Sequence, residues 1–208
     1  MSSASPFAWT PENEAEAQKH IAKYPDGKQQ SAVMPLLDLA QRQNGGHVTI
    51  GIMEFIGEYL GMPAIRVQEV ATFYTMYNHK PVGKHHVQVC GTTPCWLRGS
   101  DDIIAACKKH LDIEMGETTK DGMFTLGEVE CAGGCVNAPQ VSIGDDYFED
   151  VTPENIVEIL NKLANGEDVT PGPQNGRQTS APLGGPTTLS DLPGKSNAGK
   201  AAQTGEDA

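Results

Sequence analysis

Residues 87–95 read Val87-Gln88-Val89-Cys90-Gly91-Thr92-Thr93-Pro94-Cys95, an apolar strand pattern followed by two cysteines that four residues separate. After thirty-five further residues a second pair appears in Cys131-Ala132-Gly133-Gly134-Cys135, with three residues between the thiols. Four thiols in two close pairs are the ligand set of an iron–sulfur cluster or of a zinc ion. The sequence therefore predicts a metal centre held by Cys90, Cys95, Cys131 and Cys135.

The spacing within each pair helps to separate the two kinds of metal centre. Structural zinc commonly uses Cys-x₂-Cys turns, because a tight turn brings two sulfurs onto one small tetrahedron. Loops of four and three intervening residues suit a larger object, with each pair holding one iron of a [2Fe–2S] rhomb. The plant-type ferredoxin spacing is absent. A [2Fe–2S] cluster is the favoured cofactor, and a structural zinc module stays open as an alternative.

The residues between the thiols fit an anionic cluster. Four thiolates on a [2Fe–2S] core leave a net charge of about −2 when oxidised, which favours backbone N–H donors around the sulfurs. Gly91, Gly133 and Gly134 allow close backbone approach and positive φ angles. A helix predicted near Trp96 to Ser100 adds the positive potential of its N-terminus.

Strands and helices alternate around the cysteines. The Gly144-Asp145 pair indicates a hairpin, and Thr152 followed by Pro153 is typical of a helix start. The order β-α-β-β-α indicates a small α/β domain of thioredoxin-like layout over residues 83–165. The predicted strands lie near 86–89, 124–129, 140–143 and 146–148, and the predicted helices at 100–111 and from 153 onward.

Residues 1–82 form a different region, with helical periodicity throughout. Thr10, Ser31 and Thr49 are candidate N-caps of three helices, and a fourth begins after Pro63. The fourth is expected to continue to about Tyr77. Short connections between short helices indicate a small N-terminal helical bundle, so the whole chain belongs to the α/β (α+β) class. The apolar residues expected along the fourth helix are Ile65, Val67, Val70 and Phe73.

Residues 166–208 are rich in Gly, Pro and small polar residues. Such a segment buries too little apolar surface to offset the entropy of ordering it. We predict a flexible, disordered C-terminal tail. Two interpretations stay open, a tail that lies along a partner and a tail without a role.

Charge and hydropathy narrow the class of partner. The net charge of −12 and the pI of about 4.8 argue against nucleic-acid binding. No apolar run approaches the roughly 18 residues of a membrane span, so no membrane insertion is expected. Residues 1–9 show neither a basic nor an apolar leader segment, and Glu12 and Glu14 follow closely. We therefore expect a bacterial cytoplasmic protein or one already processed, in which cysteines serve as metal ligands or redox thiols.

Several other residues have competing interpretations. Cys107 lies on an apolar helix face and is expected to be buried and inert. His85 and His86 are expected to face solvent or a partner, since four paired cysteines leave no need for Rieske-type histidine ligands. Pro139 precedes a predicted strand, where either peptide isomer is open. Trp96 either shields the cluster or packs in the core.

At these residues the sequence resembles the 24 kDa, thioredoxin-like [2Fe–2S] subunit family of respiratory NADH:quinone oxidoreductase (complex I). The resemblance covers about residues 7 to 165, with two departures: Ala132-Gly133-Gly134 replaces a larger apolar residue and one Gly, and His47 stands where Trp is common. The matching segments are Ser31 to Leu37, Glu69 to Met76, Val87 to Gly99 and Val136 to Pro139.

The resemblance implies an electron-transfer subunit that exchanges single electrons with FMN on a larger partner that binds NADH. It also implies contact with other peripheral-arm subunits of complex I and a place on the cytoplasmic side of the bacterial inner membrane. The chain contains no G-x-G-x-x-G or Walker loop, so it is expected to act as an enzyme only as a subunit. Alternatives are the equivalent subunit of a soluble NAD-linked hydrogenase or formate dehydrogenase, and a thiol–disulfide oxidoreductase.

Overall fold

A computed structural model describes residues 7–185 and residue 188. The chain forms two compact units that divide between Lys84 and His85. The first unit is helical and the second is a mixed α/β unit. Each unit has its own hydrophobic core.

Over residues 7–84 the first unit contains four α-helices and a short 3-10 helix. Thr10 and Thr49 cap two of them as predicted, because each hydroxyl accepts a 3.3 Å hydrogen bond from a backbone N–H three residues later. Gly61, with φ of +62°, ends the third helix. The elements are α1 (Pro11–Ala22), the 3-10 helix (Gln29–Ala32), α2 (Val33–Gln43), α3 (Ile50–Leu60) and α4 (Ala64–Phe73).

Two predictions about the first unit are wrong. Ser31 caps no α-helix, because it lies inside the 3-10 helix and α2 begins two residues later without a side-chain cap. The fourth helix ends at Phe73 rather than near Tyr77, and Phe73 is 77% exposed. Ile65 is also 58% exposed, since α4 turns only the stripe of Val67 and Ala71 fully inward.

The second unit is built on a five-stranded sheet with the order β2-β1-β3-β4-β5. β1 pairs in parallel with β2 and antiparallel with β3, and β3 and β4 form the predicted hairpin. The helix from Pro153 has a capping box in which Thr152 and Asn155 exchange hydrogen bonds. The elements are β1 (His85–Cys90), α5 (Thr93–Leu97), α6 (Ser100–Leu111), β2 (Phe124–Val129), β3 (Gln140–Ile143), β4 (Asp146–Glu149), α7 (Pro153–Ala164) and β5 (Gly172–Pro173).

The core of the second unit lies between the sheet and the helices α6 and α7. Fully buried strand residues meet apolar helix residues at the 3.6-residue period, as the sequence predicts. Burying such side chains stabilises the fold by about 1.5–3 kcal/mol each. The largest of them are Val87, Val89, Ile103, Leu126, Ile156 and Leu160.

The segment after α7 differs from the prediction of a flexible tail that starts at residue 166. Gly172–Pro173 forms β5 and pairs in parallel with β4. Arg177 makes an ion pair with Asp150. Backbone pairing and the ion pair offset the entropy of ordering this segment. Amino-acid composition does not reveal either contact. The prediction for residues 186, 187 and 189–208 lies outside the described residues.

None of the described helices has both the length and the apolar character needed to traverse a lipid bilayer.

Candidate metal centre

The four predicted ligands follow two neighbouring strands at the same edge of the sheet. Cys90 is the last residue of β1 and lies opposite Val129, the last residue of the parallel strand β2. The Gly91 N–H donates to the Val129 carbonyl at 3.2 Å, so the two chains leave the sheet together. Because Cys131 comes two residues after Val129, the parallel pairing brings the two cysteine loops side by side.

The first pair of cysteines is buried and lies in regular structure. Cys90 and Cys95 are each 2% exposed. Helix α5 begins at Thr93, earlier than the predicted start near Trp96, so Cys95 lies in the helix rather than before it. The Trp96 N–H donates to the Thr92 carbonyl at 2.9 Å, which closes the first turn around Cys95.

Hydrogen-bond donors surround the sulfur of Cys90. The Thr92 hydroxyl oxygen lies 3.4 Å from Cys90 Sγ. Burial raises the pKa of the Cys90 thiol, but hydrogen bonds from the Thr92 side chain and from the Ala132 and Thr92 N–H groups outweigh it, so the pKa is lowered. The Ala132 N–H belongs to the second loop, so this donor ties the two loops together.

Cys95 has a more apolar environment. Burial raises its pKa to about 11, although the Gln140 N–H acts in the opposite direction. The neighbouring Cys90 and Cys135 thiols also raise the pKa of Cys95. The structure therefore brings Cys90, Cys95 and Cys135 into one neighbourhood.

The second pair of cysteines is exposed to solvent. Cys135 begins a 3-10 helix that ends at Asn137, and Cys131 lies two residues after the end of β2. Within residues 7–185 and 188, no group of three or more His, Cys, Asp or Glu side chains is arranged to hold a single metal ion.

Glycine is required at Gly134, between the second pair. A Cβ there would overlap the side chain of Gln140, which is 3% exposed. The Gly134 N–H donates to Gln140 Oε1 at 3.1 Å, so this contact fixes the loop just before Cys135. At Gly91 a Cβ would overlap the Glu128 carboxylate, while Gly133 has a positive φ of +83°.

The donor chemistry of the site fits a [2Fe–2S] cluster. All five cysteines are free thiols, and two pairs of them meet at one edge of the sheet. Backbone N–H groups and a hydroxyl point at the sulfurs, as an anionic iron–sulfur centre requires. The absence of a side chain at Gly91 and Gly134 leaves room for Glu128 of β2 and Gln140 of β3.

The remaining candidates lie outside the cysteine cluster. Cys107 is fully buried as predicted, and burial raises its pKa to about 12. His85 and His86 are half-buried at the start of β1, the end of the strand opposite Cys90. Trp96 is 54% exposed and its indole donates to Asp101 at 2.9 Å, so it does not pack in the core. The peptide before Pro139 is cis, which resolves the open choice of isomer.

Several residues outside the two cysteine motifs, which the sequence did not predict, donate or accept hydrogen bonds at the cysteine loops. Thr92 was detectable, because a hydroxyl two residues after a ligand cysteine is placed to donate to its sulfur. The sequence gives no comparable indication for Gln140, Asn137 and Arg177. Their hydrogen-bond partners are set by strand pairing and by the path of the chain after α7.

A thioredoxin-like layout with paired cysteines at one sheet edge defines the class of small iron–sulfur electron carriers. The family model for the thioredoxin-like [2Fe–2S] ferredoxin matches residues 17–164. The chain belongs to this family, and its cofactor is a [2Fe–2S] cluster.

Two relatives illustrate the likeness in sequence. The chain is 56% identical over 159 residues to an NADH-quinone oxidoreductase subunit from Rickettsia bellii, covering 76% of this chain and 95% of that protein. It is 48% identical over 189 residues to the mitochondrial NADH dehydrogenase [ubiquinone] flavoprotein 2 of Dictyostelium discoideum, covering 91% of this chain and 76% of that protein.

A solved structure shares the fold. A chain of an NAD⁺-reducing [NiFe]-hydrogenase in the air-oxidized state superposes with a TM-score of 0.54 at 17% identity. The match covers 62% of this chain and 23% of the hydrogenase chain.

Proposed function

We propose that this chain is the iron–sulfur subunit of the NADH-dehydrogenase module of a respiratory NADH:quinone oxidoreductase. The observation that carries the proposal is the high identity to subunits of such enzymes along nearly their whole length, together with two cysteine loops meeting at one sheet edge. In this role the chain exchanges single electrons with the FMN of a partner subunit, where the hydride chemistry of NADH takes place.

Cys90, Cys95, Cys131 and Cys135 are the proposed cluster ligands. When bound, the cluster supplies one-electron transfer. The residues of this chain hold the thiolates in place and set their electrostatic environment. Thr92, Ala132 and Gln140 direct donors at the sulfurs of the first pair, and these donors favour the more negative, reduced state.

The proposed partner contact lies beside the ligands. Trp96 and Leu97 directly follow Cys95 and are 54% and 70% exposed, and Val136 directly follows Cys135 and is 69% exposed. Exposed large apolar side chains next to a redox centre are typical of a protein interface. They support docking of the flavin-bearing, NADH-binding subunit at this edge and assembly with other peripheral-arm subunits. In this assembly the chain lies at the cytoplasmic side of the bacterial inner membrane.

A second candidate is the equivalent subunit of a soluble NAD-linked hydrogenase or formate dehydrogenase. This candidate is supported by the fold that the chain shares with the NAD⁺-reducing hydrogenase chain. Purification of the native complex separates the candidates, because a quinone-reactive membrane complex and a soluble hydrogenase differ in their partner subunits.

A thiol–disulfide oxidoreductase fits the site poorly. Such enzymes use two thiols in Cys-x₂-Cys, with one pKa lowered at a helix N-terminus. Here four residues separate Cys90 from Cys95, and the thiol on the helix, Cys95, has a raised pKa. A zinc module is distinguished by colour, since a zinc-loaded protein is colourless.

The ligand assignment is tested by replacing each proposed ligand with Ser. We expect every one of the four variants to lose or shift the visible absorption and the electron paramagnetic resonance signal of the reduced protein. Cys107→Ala is the matched control and keeps both signals, because this thiol lies in the apolar core. An unchanged spectrum in any variant of Cys90, Cys95, Cys131 or Cys135 refutes that residue as a ligand.

A further inference from the structure

The chain after α7 folds back onto the sheet and forms a segment that we name the strap, residues 172–179. It lies beyond residues 17–164, which the family model matches. Its first two residues form β5, in register with Phe148 and Glu149 of β4. The Gln174 N–H then donates to the Glu149 carbonyl at 2.8 Å, which extends the pairing past the strand.

Arg177 links the strap to the second cysteine loop. Its Nε and Nη2 donate to the two carboxylate oxygens of Asp150, each at 2.6 Å. Nη2 also donates to the Val136 carbonyl at 2.7 Å, one residue after Cys135. The Arg177 and Asp150 side chains are only 11% and 7% exposed, so this bidentate pair is sheltered from water.

Asn137 provides the second link between the strap and the loop. It is 2% exposed, and its Nδ2 donates to Glu149 Oε2 at 2.6 Å and to the Thr179 carbonyl at 2.9 Å. Its own carbonyl accepts from the Asp150 N–H at 2.8 Å. The residues just after Cys135 are therefore held by the end of β4 on one side and by the strap on the other.

We propose that the strap positions Cys135, and that Arg177 is the positioning residue through which it acts. Cys135 lies between Gly134, held by Gln140, and Val136, held by Arg177. The loop has only a three-residue 3-10 helix of its own, so these side-chain contacts fix the direction of its thiol. The inference rests on the proposed role of Cys135 as a cluster ligand.

The experiment compares two truncations of the full chain, one ending at Gly185 and one ending at Pro171. The first keeps the strap and the second removes it, while both keep Val169, which packs against the core of the second unit. We expect the Pro171 truncation to release iron to a chelator about tenfold faster than the Gly185 truncation, because charged hydrogen bonds to the loop are lost. Equal release rates would overturn the proposal.

Point variants assign the effect to Arg177. We expect Arg177→Ala to accelerate iron release and to broaden the resonance signal of the reduced cluster. We expect Arg177→Lys to restore slow iron release only in part, because an ammonium group cannot make the two parallel hydrogen bonds of the planar guanidinium group. Arg98→Ala is the matched control, since it removes an exposed Arg near the first loop. The double variant Asp150→Asn with Arg177→Leu avoids an unpaired buried charge and still shows faster release, since the bond to Val136 is lost.

Hydrogen exchange distinguishes failure of this proposal from failure of the ligand assignment. Amides of residues 134–137 are expected to lose protection in Arg177→Ala, while those of residues 90–95 keep it. This readout also applies to protein freed of iron, so it tests the strap even if Cys135 proves not to be a ligand. Unchanged protection at residues 134–137 in both forms contradicts the proposal.

Discussion

The two cysteine loops carry the same proposed ligands, two thiols each, yet the fold holds them in different ways. Cys90 and Cys95 are buried, one at the end of a strand and the other in a helix. Cys131 and Cys135 are exposed, and distant side chains brace the loop that joins them. The first loop is fixed by its local backbone and the second by long-range contacts, so the second is the more sensitive to changes elsewhere.

Alkylation of protein freed of iron should show the largest difference between the loops. At pH 8, a thiol with a pKa of about 11 carries on the order of a hundredfold less thiolate than an ordinary thiol. We expect iodoacetamide to modify the exposed Cys131 and Cys135 first, and the buried Cys95 at least tenfold more slowly, because the higher nucleophilicity of a more basic thiolate offsets part of its lower abundance. Mass spectrometry of tryptic peptides measures each rate.

The pH dependence gives an internal check on that experiment. Only the thiolate reacts, so the rate at Cys95 rises tenfold per pH unit throughout the range from 7 to 9.5, below its pKa of about 11. Cys107, whose pKa is about 12, serves as the slowest site. Circular dichroism must show that the iron-free protein stays folded. Equal alkylation rates at all five thiols in folded protein would refute the difference between the two cysteine loops.

Replacing Gly134 tests whether the second loop depends on its contact with Gln140. We expect Gly134→Ala to destabilise the protein by about 2 kcal/mol, because the new methyl group displaces a buried amide and breaks its hydrogen bond. Thermal unfolding of the iron-loaded protein measures the change. Gly51→Ala, in an open position of α3, is the control and should be neutral or slightly stabilising. An equal change in stability for the two variants would show that the second loop does not depend on its contact with Gln140.

The smallest expected effect concerns the first loop. Thr92→Val removes the hydroxyl next to Cys90 Sγ. We expect the reduction potential to fall by tens of millivolts, since a donor to sulfur stabilises the more negative reduced state and one such bond contributes about 1 kcal/mol. Redox titration measures it, and Thr92→Ser, which keeps the hydroxyl, should retain the original potential. A potential that rises in Thr92→Val contradicts this account.

Most of the fold was predictable from the sequence because its longer elements carry regular patterns. Thr10, Thr49 and Thr152 each begin a helix as expected, and the residues around Gly144 form the hairpin. The exposure of Ile65 and Phe73 was not predictable, because an apolar pattern alone does not separate a core face from a surface face. The helix at Cys95 is too short for periodicity to place its start.

The candidate site was predictable only in its cysteines and glycines. Close spacing in sequence indicates that Cys90 and Cys95 act together, but not that the Gln140 N–H lies beside the Cys95 sulfur. The contacts of Arg177 were even less predictable from the sequence. Its segment has the composition of a disordered tail, and its order comes from contacts 27 and 41 residues away, with Asp150 and Val136.

The antiparallel pairing of β3 with β1 gives the second unit two chemically distinct ends. Val87 lies opposite Ile143, so the hairpin turn at Gly144 lies at the end of the sheet away from Cys90. Six residues of β1 separate these ends by about 17 Å at roughly 3.3 Å per residue. An affinity peptide inserted at this turn would therefore attach the second unit to an electrode coating by the end that lies opposite its cysteines.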